Sequence, residues 1–402
     1  MTTQNLDDER LNMLAAAYLL AGSERSKIKQ IDIAEILEIQ PVAVSRLLNK
    51  ARDEGLLRTA FNYELASDAD IEKVEARIRK DKRIDKLKKM LLIEHEPYLK
   101  SVSVFYSGVA NGDSVSFSNR LGRFSDHSAR CVMPHLKNSK YVGLAWGRTI
   151  SALVQSLKAL HPTVKSKSAQ ISFVPLVGEP LGVVDMSRFS STQLVRELDL
   201  LMNGSATNSL SLHGILALIP TDIPKKNIAS IYSLLEHAES YRSIFGTPST
   251  RTQKSAKASA RSDLLVSKLD CIITSVSEDG APWGMTENQN FVKTARLNKE
   301  KLSEESVGDI GGVLMPRLNT RSEYLEDLAL RWTGIQHEHL LSCAENCAND
   351  KDRKISGVIV ASIGERKKEN IRRALEQNYI NHLIIDHELA AGLADLYIKN
   401  RD

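Results

Sequence analysis

The sequence predicts an α/β protein in which a small all-α domain with a helix-turn-helix precedes a larger α/β domain. Two patterns carry this prediction. Residues 8–62 contain short amphipathic segments joined by a tight turn. From Val102 onward, apolar runs of strand length alternate with helical patterns, as expected for a largely parallel sheet. A chain of 402 residues is long enough for two such units.

Composition indicates a soluble globular protein in a reducing compartment. The hydrophobic share of 42% and the charged share of 26% are ordinary for such proteins, and four cysteines are too few for a disulfide framework. The polar, acidic start Met1–Arg10 is unlike a secretory signal, and the apolar stretch Leu11–Ala21 is too short to span a bilayer. We therefore expect a cytoplasmic protein that does not associate with membranes.

The charge distribution is more informative than the net charge of +4. From Arg77 to Lys89 the run RIRKDKRIDKLKK is dominated by basic residues. It is either a solvated helix face or an electrostatic footprint for nucleic acid close to the first domain.

Three helices are predicted in the first domain. The first has apolar residues at helical spacing, namely Leu11, Leu14, Tyr18 and Leu19. The second spans roughly residues 29–37, with Ile33, Ala34 and Leu37 on its inner side. After a turn at residues 38–40, Pro41 begins the third helix, because its missing N–H would have no partner there. Gly55 ends that helix as a C-cap.

The third helix is predicted to read DNA. Its buried stripe consists of Val44, Leu47, Leu48 and Ala51. Seven residues remain on or near the outer surface: Gln40, Val42, Ala43, Ser45, Arg46, Asn49 and Lys50. Arg pairs with guanine and Asn or Gln with adenine, while Ser and Lys hold phosphates. We therefore expect this helix to enter the major groove of double-stranded operator DNA, although a helical hairpin with an ordinary wet face is the alternative.

Seven strands are predicted in the second domain, interleaved with helices near residues 116–136 and 147–160. These strands are Ser101–Tyr106, Tyr141–Trp146, Ala169–Gly178, Gly214–Pro220, Leu269–Val276, Ile355–Ser362 and Ile380–His387. The segment Thr247–Asp263 breaks the alternation, since it is polar and has no apolar period. We interpret it as a mobile surface insertion, with DNA contact by its basic residues as the alternative.

The strand–turn–helix around Gly147 predicts an anion site. A glycine after a strand lets the backbone approach a ligand, and the helix that follows offers unpaired N–H groups. Arg148 adds a cationic fork and Thr149 adds a hydroxyl. Together they suit a phosphate or carboxylate at the carboxyl end of a strand, where open α/β sheets bind ligands. The alternative is a plain strand-to-helix turn.

The first domain resembles that of a known family. The stretch QIDIAEILEIQPVAVSRLLNKARDEGLLR is similar to the N-terminal domain of the SorC-type, or sorbitol-operon regulator, family of bacterial transcription factors. The matching residues are Ala34, Ile39, Val44, Ser45, Arg46, Leu47, Leu48, Ala51, Arg52, Glu54 and Gly55. Gln40 departs from the family's usual N-capping Ser, which is expected to cost about 1 kcal/mol of helix stability.

The second domain resembles the effector domain of the same family. Five stretches follow the family's order: VGLAWGRTI from Val142, VPLVG from Val174, VGDIGG from Val307, GERKKENIRRAL from Gly364 and LIIDHELA from Leu383. The resemblance covers nearly the whole chain except the first ten residues and the insertion. It implies a Rossmann-like domain that usually binds a phosphorylated sugar, and a tetramer whose grip on DNA changes with the ligand.

The resemblance also implies site residues. By position, Gly147, Arg148 and Thr149 are expected to take the anionic group of the effector, and Lys367 its oxygens. Two departures bear on the ligand. Pro316 stands where the family commonly has a sugar-binding aspartate, and TSVSEDG, from Thr274 to Gly280, replaces a Gly-Ile-Gly turn. We therefore expect a small anionic metabolite, with a sugar phosphate or phosphorylated polyol as the specific hypothesis.

Two other interpretations of the chemistry-bearing residues are possible. His337, His339, Cys343 and Cys347 lie on one predicted helix, but paired Cys-x-x-Cys spacing is absent, so buried thiols are favoured over a metal and no cofactor is predicted. Lys367 with Asp386 resembles a base and its partner in a sugar-phosphate isomerase, yet no nucleotide or nucleophile motif accompanies them. A sugar-phosphate enzyme and a ligand-independent DNA-binding assembly protein remain the alternatives to a regulator that is not an enzyme.

The predicted organisation therefore has three segments. A DNA-binding domain occupies residues 8–62 and an effector-binding and oligomerisation domain occupies residues 99–402. Between them, residues 63–98 form a helical linker. Its apolar seam begins at Ile71, Val74 and Ile78 and resumes at Ile84, Leu87 and Leu91. We expect this linker to serve as a dimerisation helix, so that two recognition helices meet two half-sites in a homodimer or homotetramer.

Overall fold

The computed structural model describes twelve stretches of the chain, and every structural statement concerns these residues. They are residues 9, 12–13, 15–16, 29–53, 82–105, 117–160, 170–180, 189–206, 209–246, 263–284, 289–317 and 321–399. Several predicted features lie outside them: Leu11, Leu14, Tyr18, Leu19, Gly55, Ile71, Val74, Ile78 and most of the Thr247–Asp263 insertion. The chain divides into two compact units, residues 1–80 with 107–124 and residues 81–106 with 125–402.

The first unit contains the predicted helix-turn-helix. Helix α1 spans Gln30–Ile36 and helix α2 spans Pro41–Asp53, so Pro41 occupies the first helical position as predicted. The Asp32 carboxylate accepts the Lys29 N–H at 2.7 Å and closes the start of α1. Their shared core consists of Met13, Ala16, Ile33, Ala34, Val44, Leu47, Leu48 and Ala51. The stripe predicted for α2 is therefore the buried face of that helix.

The turn between α1 and α2 uses a left-handed residue. Glu38 has a φ of 52°, and the N–H of Ile39 donates to the carbonyl of Ala34 at 3.0 Å. This bond satisfies a carbonyl at the end of α1 in the manner of a Schellman cap. It fixes the direction in which the chain enters α2.

The second unit is built on eight described strands and the helices between them. The strands are β1 Ser101–Phe105, β2 Tyr141–Leu144, β3 Ser172–Pro175, β4 Cys271–Thr274, β5 Ser306–Ile310, β6 Val313–Pro316, β7 Gly357–Ser362 and β8 His382–Asp386. The helices are α3 Lys82–Glu94, α4 Phe117–Asn138 (whose first turns group with the first unit), α5 Arg148–Leu160, α6 Ser191–Leu198, α7 Lys225–Leu235, α8 Glu239–Phe245, α9 Gln289–Thr294, α10 Lys299–Glu305, α11 Glu323–Arg331, α12 His337–Asn349, α13 Lys368–Glu376 and α14 His387–Lys399.

Six strands form one parallel sheet in the order β1-β8-β7-β4-β2-β3. From β2 the chain first moves outward to β3, and β4 then lies on the other side of β2. The strand order therefore reverses between β2 and β4. In open α/β sheets such a reversal opens a crevice at the carboxyl ends of the strands, and ligands bind there.

The remaining two strands form an antiparallel hairpin, β5–β6. We did not predict these strands, although the VGDIGG stretch lies in them. Conversely, the predicted strand Gly214–Pro220 is wrong. It makes only isolated bridges, Leu216 with Glu179 and Leu218 with Trp332, so its apolar residues serve the core without joining the sheet.

The position of helix α3 differs from the predicted dimer contact. Its residues Ile84, Leu87 and Leu91 are buried in the core of the second unit, where α3 packs against α14. Arg83 pairs with Asp395 of α14 at 2.8 Å. The three seam residues are thus covered within one chain, whereas the sequence pattern placed them between two chains. The basic residues Lys82, Arg83, Lys86 and Lys89 are exposed.

In the described part of the chain, no helix combines the length and the apolar character that crossing a membrane requires.

Candidate functional site

The outer face of α2 presents the predicted DNA-reading residues. Gln40, Val42, Arg46, Asn49 and Lys50 are exposed, and Ala43 and Ser45 are half-buried. The opposite face carries the packed stripe from Val44 to Ala51. The exposed and half-buried residues of the predicted set therefore lie on the side of α2 away from the buried stripe. We call this surface the α2 outer face.

Two residues at the far end of the α2 outer face are engaged within the protein. Lys50 pairs with Glu9 at 3.2 Å, and the side-chain oxygen of Asn49 accepts a hydrogen bond from Arg52 at 2.8 Å. Arg46 forms no hydrogen bond or ion pair with any residue in the described ranges. The N-terminal half of α2 is therefore the part that is open to an external partner.

The turn around Gly147 has the predicted strand–turn–helix geometry. Gly147 has a φ of 117°, and a Cβ added there would meet no heavy atom within 4 Å. Arg148 is exposed and begins α5, while Thr149 is only 8% exposed. The Gly147 N–H itself donates to the carbonyl of Phe189 at 3.1 Å. The turn therefore leaves open space beside Gly147, whereas the Gly147 amide is used within the protein.

Lys367 is influenced electrostatically by Arg148, although the two residues are distant in the sequence. It ends a short 3-10 turn, Glu365–Lys367, that follows β7. Its pKa is lowered to about 8, chiefly because burial disfavours the charged ammonium, and the Arg148 guanidinium adds to the shift. The carboxylates of Glu278, Asp386 and Asp309 oppose it. In the described part of the chain, the Lys367 ammonium has neither a hydrogen bond nor an ion pair.

Asp386 holds the backbone that carries Lys367. Its Oδ1 accepts the N–H of Gly364 at 3.0 Å and the N–H of Leu389 at 3.2 Å, which ties the turn after β7 to the start of α14. Burial raises the pKa of the Asp386 carboxyl. Its contacts are thus backbone contacts, and it makes no direct hydrogen bond to Lys367.

Asp309 organises the β5–β6 hairpin. Its carboxylate accepts the N–H groups of Trp283 at 2.7 Å and Gly312 at 2.8 Å. Burial raises the pKa of this carboxyl, and the two hydrogen bonds act in the opposite direction. Sequence reasoning missed Asp309, since a single aspartate in a glycine-rich stretch carries no signal of burial.

An aromatic cluster supports the end of β2 and the hairpin. Trp283 and Trp332 stack with centroids 5.5 Å apart, and Trp146 contacts Trp332 edge-on at 5.9 Å. Gly312 lies against the Trp332 ring so closely that an added Cβ would be 1.9 Å from Cζ2. The cluster fixes Trp146, the residue directly before the Gly147–Arg148 turn.

The two departures from the family pattern have structural roles. Pro316 ends β6, is exposed, and its carbonyl accepts a hydrogen bond from Arg373 at 3.1 Å. In the Thr274–Gly280 stretch, the Ser277 hydroxyl accepts the Asp309 N–H at 2.8 Å, and Asn370 donates to the Ser277 carbonyl at 3.0 Å. This stretch is therefore fastened to the hairpin and to α13.

The candidate metal ligands of helix α12 are engaged in the packing and the start of that helix. On α12, Cys343 and Cys347 are buried, and burial raises the pKa of both thiols, that of Cys347 to about 11. His339 Nδ1 accepts the N–H of Gln336 at 3.1 Å, at the start of the helix. Among the described residues, no group of three or more His, Cys, Asp or Glu side chains is placed to hold a metal ion.

Comparison with known sequences gives a domain and a relative. Residues 101–210 match the family model Sugar-bind, described as "Putative sugar-binding domain". The Sorbitol operon regulator of Klebsiella pneumoniae is 26% identical over 182 residues, which are 45% of this chain and 48% of that protein. The chain thus aligns with about half the length of this curated relative.

Solved structures show the same fold over a longer span. The full-length sorbitol operon regulator SorC from Klebsiella pneumoniae has a TM-score of 0.52 at 20% identity, covering 96% of this chain and 99% of that one. A transcriptional regulator from Streptococcus pneumoniae TIGR4 has a TM-score of 0.53 at 16% identity, covering 81% of this chain and 100% of that one. At these identities the likeness establishes the fold, a helix-turn-helix unit with a Rossmann-like domain. Fold, domain match and sequence relative agree in their similarity to SorC-type regulators.

Proposed function

We propose that this protein is a DNA-binding transcriptional regulator whose affinity for operator DNA is controlled by a small anionic metabolite. The observation that supports the proposal is the presence, in one chain, of an exposed polar face on the second helix of a helix-turn-helix and of two cations that influence each other electrostatically. Arg46 and its neighbours are exposed on α2. Arg148 follows β2 and Lys367 follows β7, and the Arg148 guanidinium helps to lower the pKa of Lys367.

A phosphate or carboxylate is the class of group that this site favours. Arg148 provides a planar, bidentate donor, and Lys367 a compact cation without a partner among the described residues. The match of residues 101–210 to a sugar-binding domain supports a phosphorylated sugar or polyol as the ligand. The ligand controls DNA binding only if it binds one arrangement of the assembled protein more tightly than another.

The enzyme alternative finds less support. A lysine whose pKa is lowered to about 8 is suited to act as a base. However, the carboxylate expected to assist it, that of Asp386, accepts two backbone N–H groups and does not bond to Lys367. Its relatives, moreover, include regulators of transcription. Turnover of sugar phosphates by the purified chain would reverse this preference.

Gel shifts with the DNA upstream of the protein's own gene test the DNA-binding half. Arg46→Ala is expected to weaken specific binding by 1–3 kcal/mol, about 5- to 150-fold, because a bidentate contact to guanine is lost. The matched control is Arg321→Ala, which removes an exposed arginine that pairs with Glu326 in the second unit. Equal binding by wild type and Arg46→Ala would contradict the proposal.

We also propose that the protein acts as a homo-oligomer, a dimer or a tetramer, bound to a pseudo-palindromic site. A dimer presents two α2 helices to half-sites about 34 Å apart, one turn of DNA. Light scattering of the protein with and without DNA measures the assembly, and a monomer bound to a single half-site would contradict this arrangement.

A further inference from the structure

Val42 is the most exposed large apolar residue in the described part of the chain. Its exposure is 82%, and it occupies the second position of α2. Single exposed apolar residues are common on protein surfaces and need no explanation by themselves. A functional role for Val42 is therefore argued from its location on the helix together with its exposure.

The location is the N-terminal end of the α2 outer face. Val42 and Arg46 are four residues apart and so lie on the same side of the helix. The segment from Gln40 to Lys50 contains no acidic residue, so the surface around Val42 suits a polyanion. An apolar side chain within such a surface has a specific complement in duplex DNA, because thymine alone among the four bases presents a methyl group in the major groove.

We propose that Val42 is a specificity-determining residue that packs against the C5-methyl group of a thymine. The inference rests on the proposed DNA-binding function and deepens it. Four residues of helix correspond to a rise of about 6 Å, and successive base pairs are about 3.4 Å apart. The thymine contacted by Val42 thus lies roughly two base pairs from the base contacted by Arg46.

The test removes only the methyl group. Duplexes are first selected by the wild-type, full-length protein from a library with a randomised core, and each thymine of the selected sequence is then replaced singly by deoxyuridine. At one position in each half-site, deoxyuridine is expected to weaken binding about fourfold, the effect of one buried methyl group. The selected duplex with thymidine at every such position, which carries the methyl group, provides the reference.

The matching protein variant is Val42→Ala, which leaves the fold intact because the side chain is exposed. Val42→Ala is expected to bind thymine and deoxyuridine duplexes equally at that position. The control is Ile31→Ala, which truncates another exposed apolar residue, 55% exposed on α1, and is expected to keep the fourfold preference.

The possible outcomes distinguish the DNA-binding function from the role of Val42. Failure to select any sequence would overturn the DNA-binding function and this inference with it. A selected sequence that tolerates deoxyuridine everywhere, or a Val42→Ala protein that still prefers thymine, would overturn the role of Val42 alone. An unchanged thymine preference together with an altered oligomeric state in Val42→Ala would assign this residue to a contact between two copies, which also overturns it.

Discussion

The Arg148 guanidinium lies close enough to Lys367 to lower the pKa of the lysine ammonium, although the two residues follow different strands. Arg148 begins α5 just after β2, and Lys367 follows β7. Arg148 and Lys367 carry like charges, which repel each other. An anion bound between them would be attracted to both cations, which is why we propose that this pair takes an anionic ligand.

Arg148→Ala is therefore expected to abolish stabilisation by an anionic ligand without weakening DNA binding. In thermal-shift measurements, glucose 6-phosphate and inorganic phosphate serve as probes. A ligand at 100 times its Kd stabilises the wild type by about 2.7 kcal/mol, and the variant is expected to show no such shift. DNA affinity without ligand should stay within about twofold of wild type, a difference of about 0.4 kcal/mol.

Arg321→Ala is the control here too, because Arg321 is an exposed arginine paired with Glu326. Loss of both ligand and DNA binding in Arg148→Ala would indicate misfolding. Retention of the thermal shift by Arg148→Ala would show that the anion binds elsewhere.

Anion binding is expected to weaken as the pH rises through about 8. The pKa of Lys367 is lowered in the folded protein to about 8, from 10.5, so the ammonium loses its proton above that pH. A bound anion favours the protonated form and raises this pKa, which means that binding takes up a proton near pH 8. Titration calorimetry from pH 7 to 9.5 in buffers of different ionisation enthalpy measures both effects.

Lys367→Arg is the matched variant for this pH dependence. Arginine stays charged throughout the range, so any remaining affinity of the variant should be nearly constant from pH 7 to 9.5. A wild-type affinity that does not change in this range would show that Lys367 is not at the ligand. Below pH 8 the charged Lys367 makes the free protein less stable, and this loss is relieved as the pH rises from 8 towards 10.5.

Periodicity predicted the helix-turn-helix well because its core is local. Val44, Leu47, Leu48 and Ala51 repeat at helical spacing and are buried as that spacing requires. Six of the predicted strands form the parallel sheet, since strands that are covered on both faces are continuous apolar runs. The run at residues 214–220 has the same composition but packs under neighbouring segments without joining the sheet, and composition cannot distinguish the two cases.

The electrostatic interaction between Arg148 and Lys367 could not be predicted from spacing alone. Sequence indicates that Gly147 and Arg148 lie at the carboxyl edge of a strand, but it does not give the order of the strands. The resemblance to a known family supplied Lys367. Neither source indicated Asp309, whose importance depends on two backbone N–H groups from distant turns.

The protein is expected to lose stability between pH 6.5 and pH 4, in part through His127. Burial lowers the pKa of His127 from 6.5 to about 4, and the charges of Arg130 and Lys88 contribute in the same direction. In this range the unfolded chain binds a proton at the histidine and the folded chain does not, so stability falls as the pH falls. The shift of 6.5 − 4 units corresponds to about 3 kcal/mol.

His127→Gln is expected to reduce this slope by close to one proton, because glutamine does not titrate while its amide can replace the contact with Ser103 Oγ at 2.8 Å. Urea unfolding at several pH values measures the slope. His382, with a pKa near 3, contributes over the same range, so the variant should retain part of the acid sensitivity. An unchanged slope in His127→Gln would assign all of it to other groups.

Gly312→Ala is expected to destabilise the second unit by roughly 2–4 kcal/mol. Gly312 has a φ of 91°, which L-residues rarely adopt, and the new Cβ would lie 1.9 Å from the Trp332 ring. The ring is stacked on Trp283, whose indole N–H donates to the Gly312 carbonyl at 2.9 Å. A shift of Trp332 would therefore disturb the hairpin and the Trp146 contact together.

Gly204→Ala separates the two causes of this loss. Gly204 also has a left-handed φ, 72°, but an added Cβ there meets nothing within 4 Å. Backbone strain alone should cost this control about 1 kcal/mol, so the excess loss in Gly312→Ala measures the clash with Trp332. Equal losses of unfolding free energy in the two variants would show that the aromatic cluster yields to a methyl group at no cost, and that its packing does not fix the Gly147–Arg148 turn.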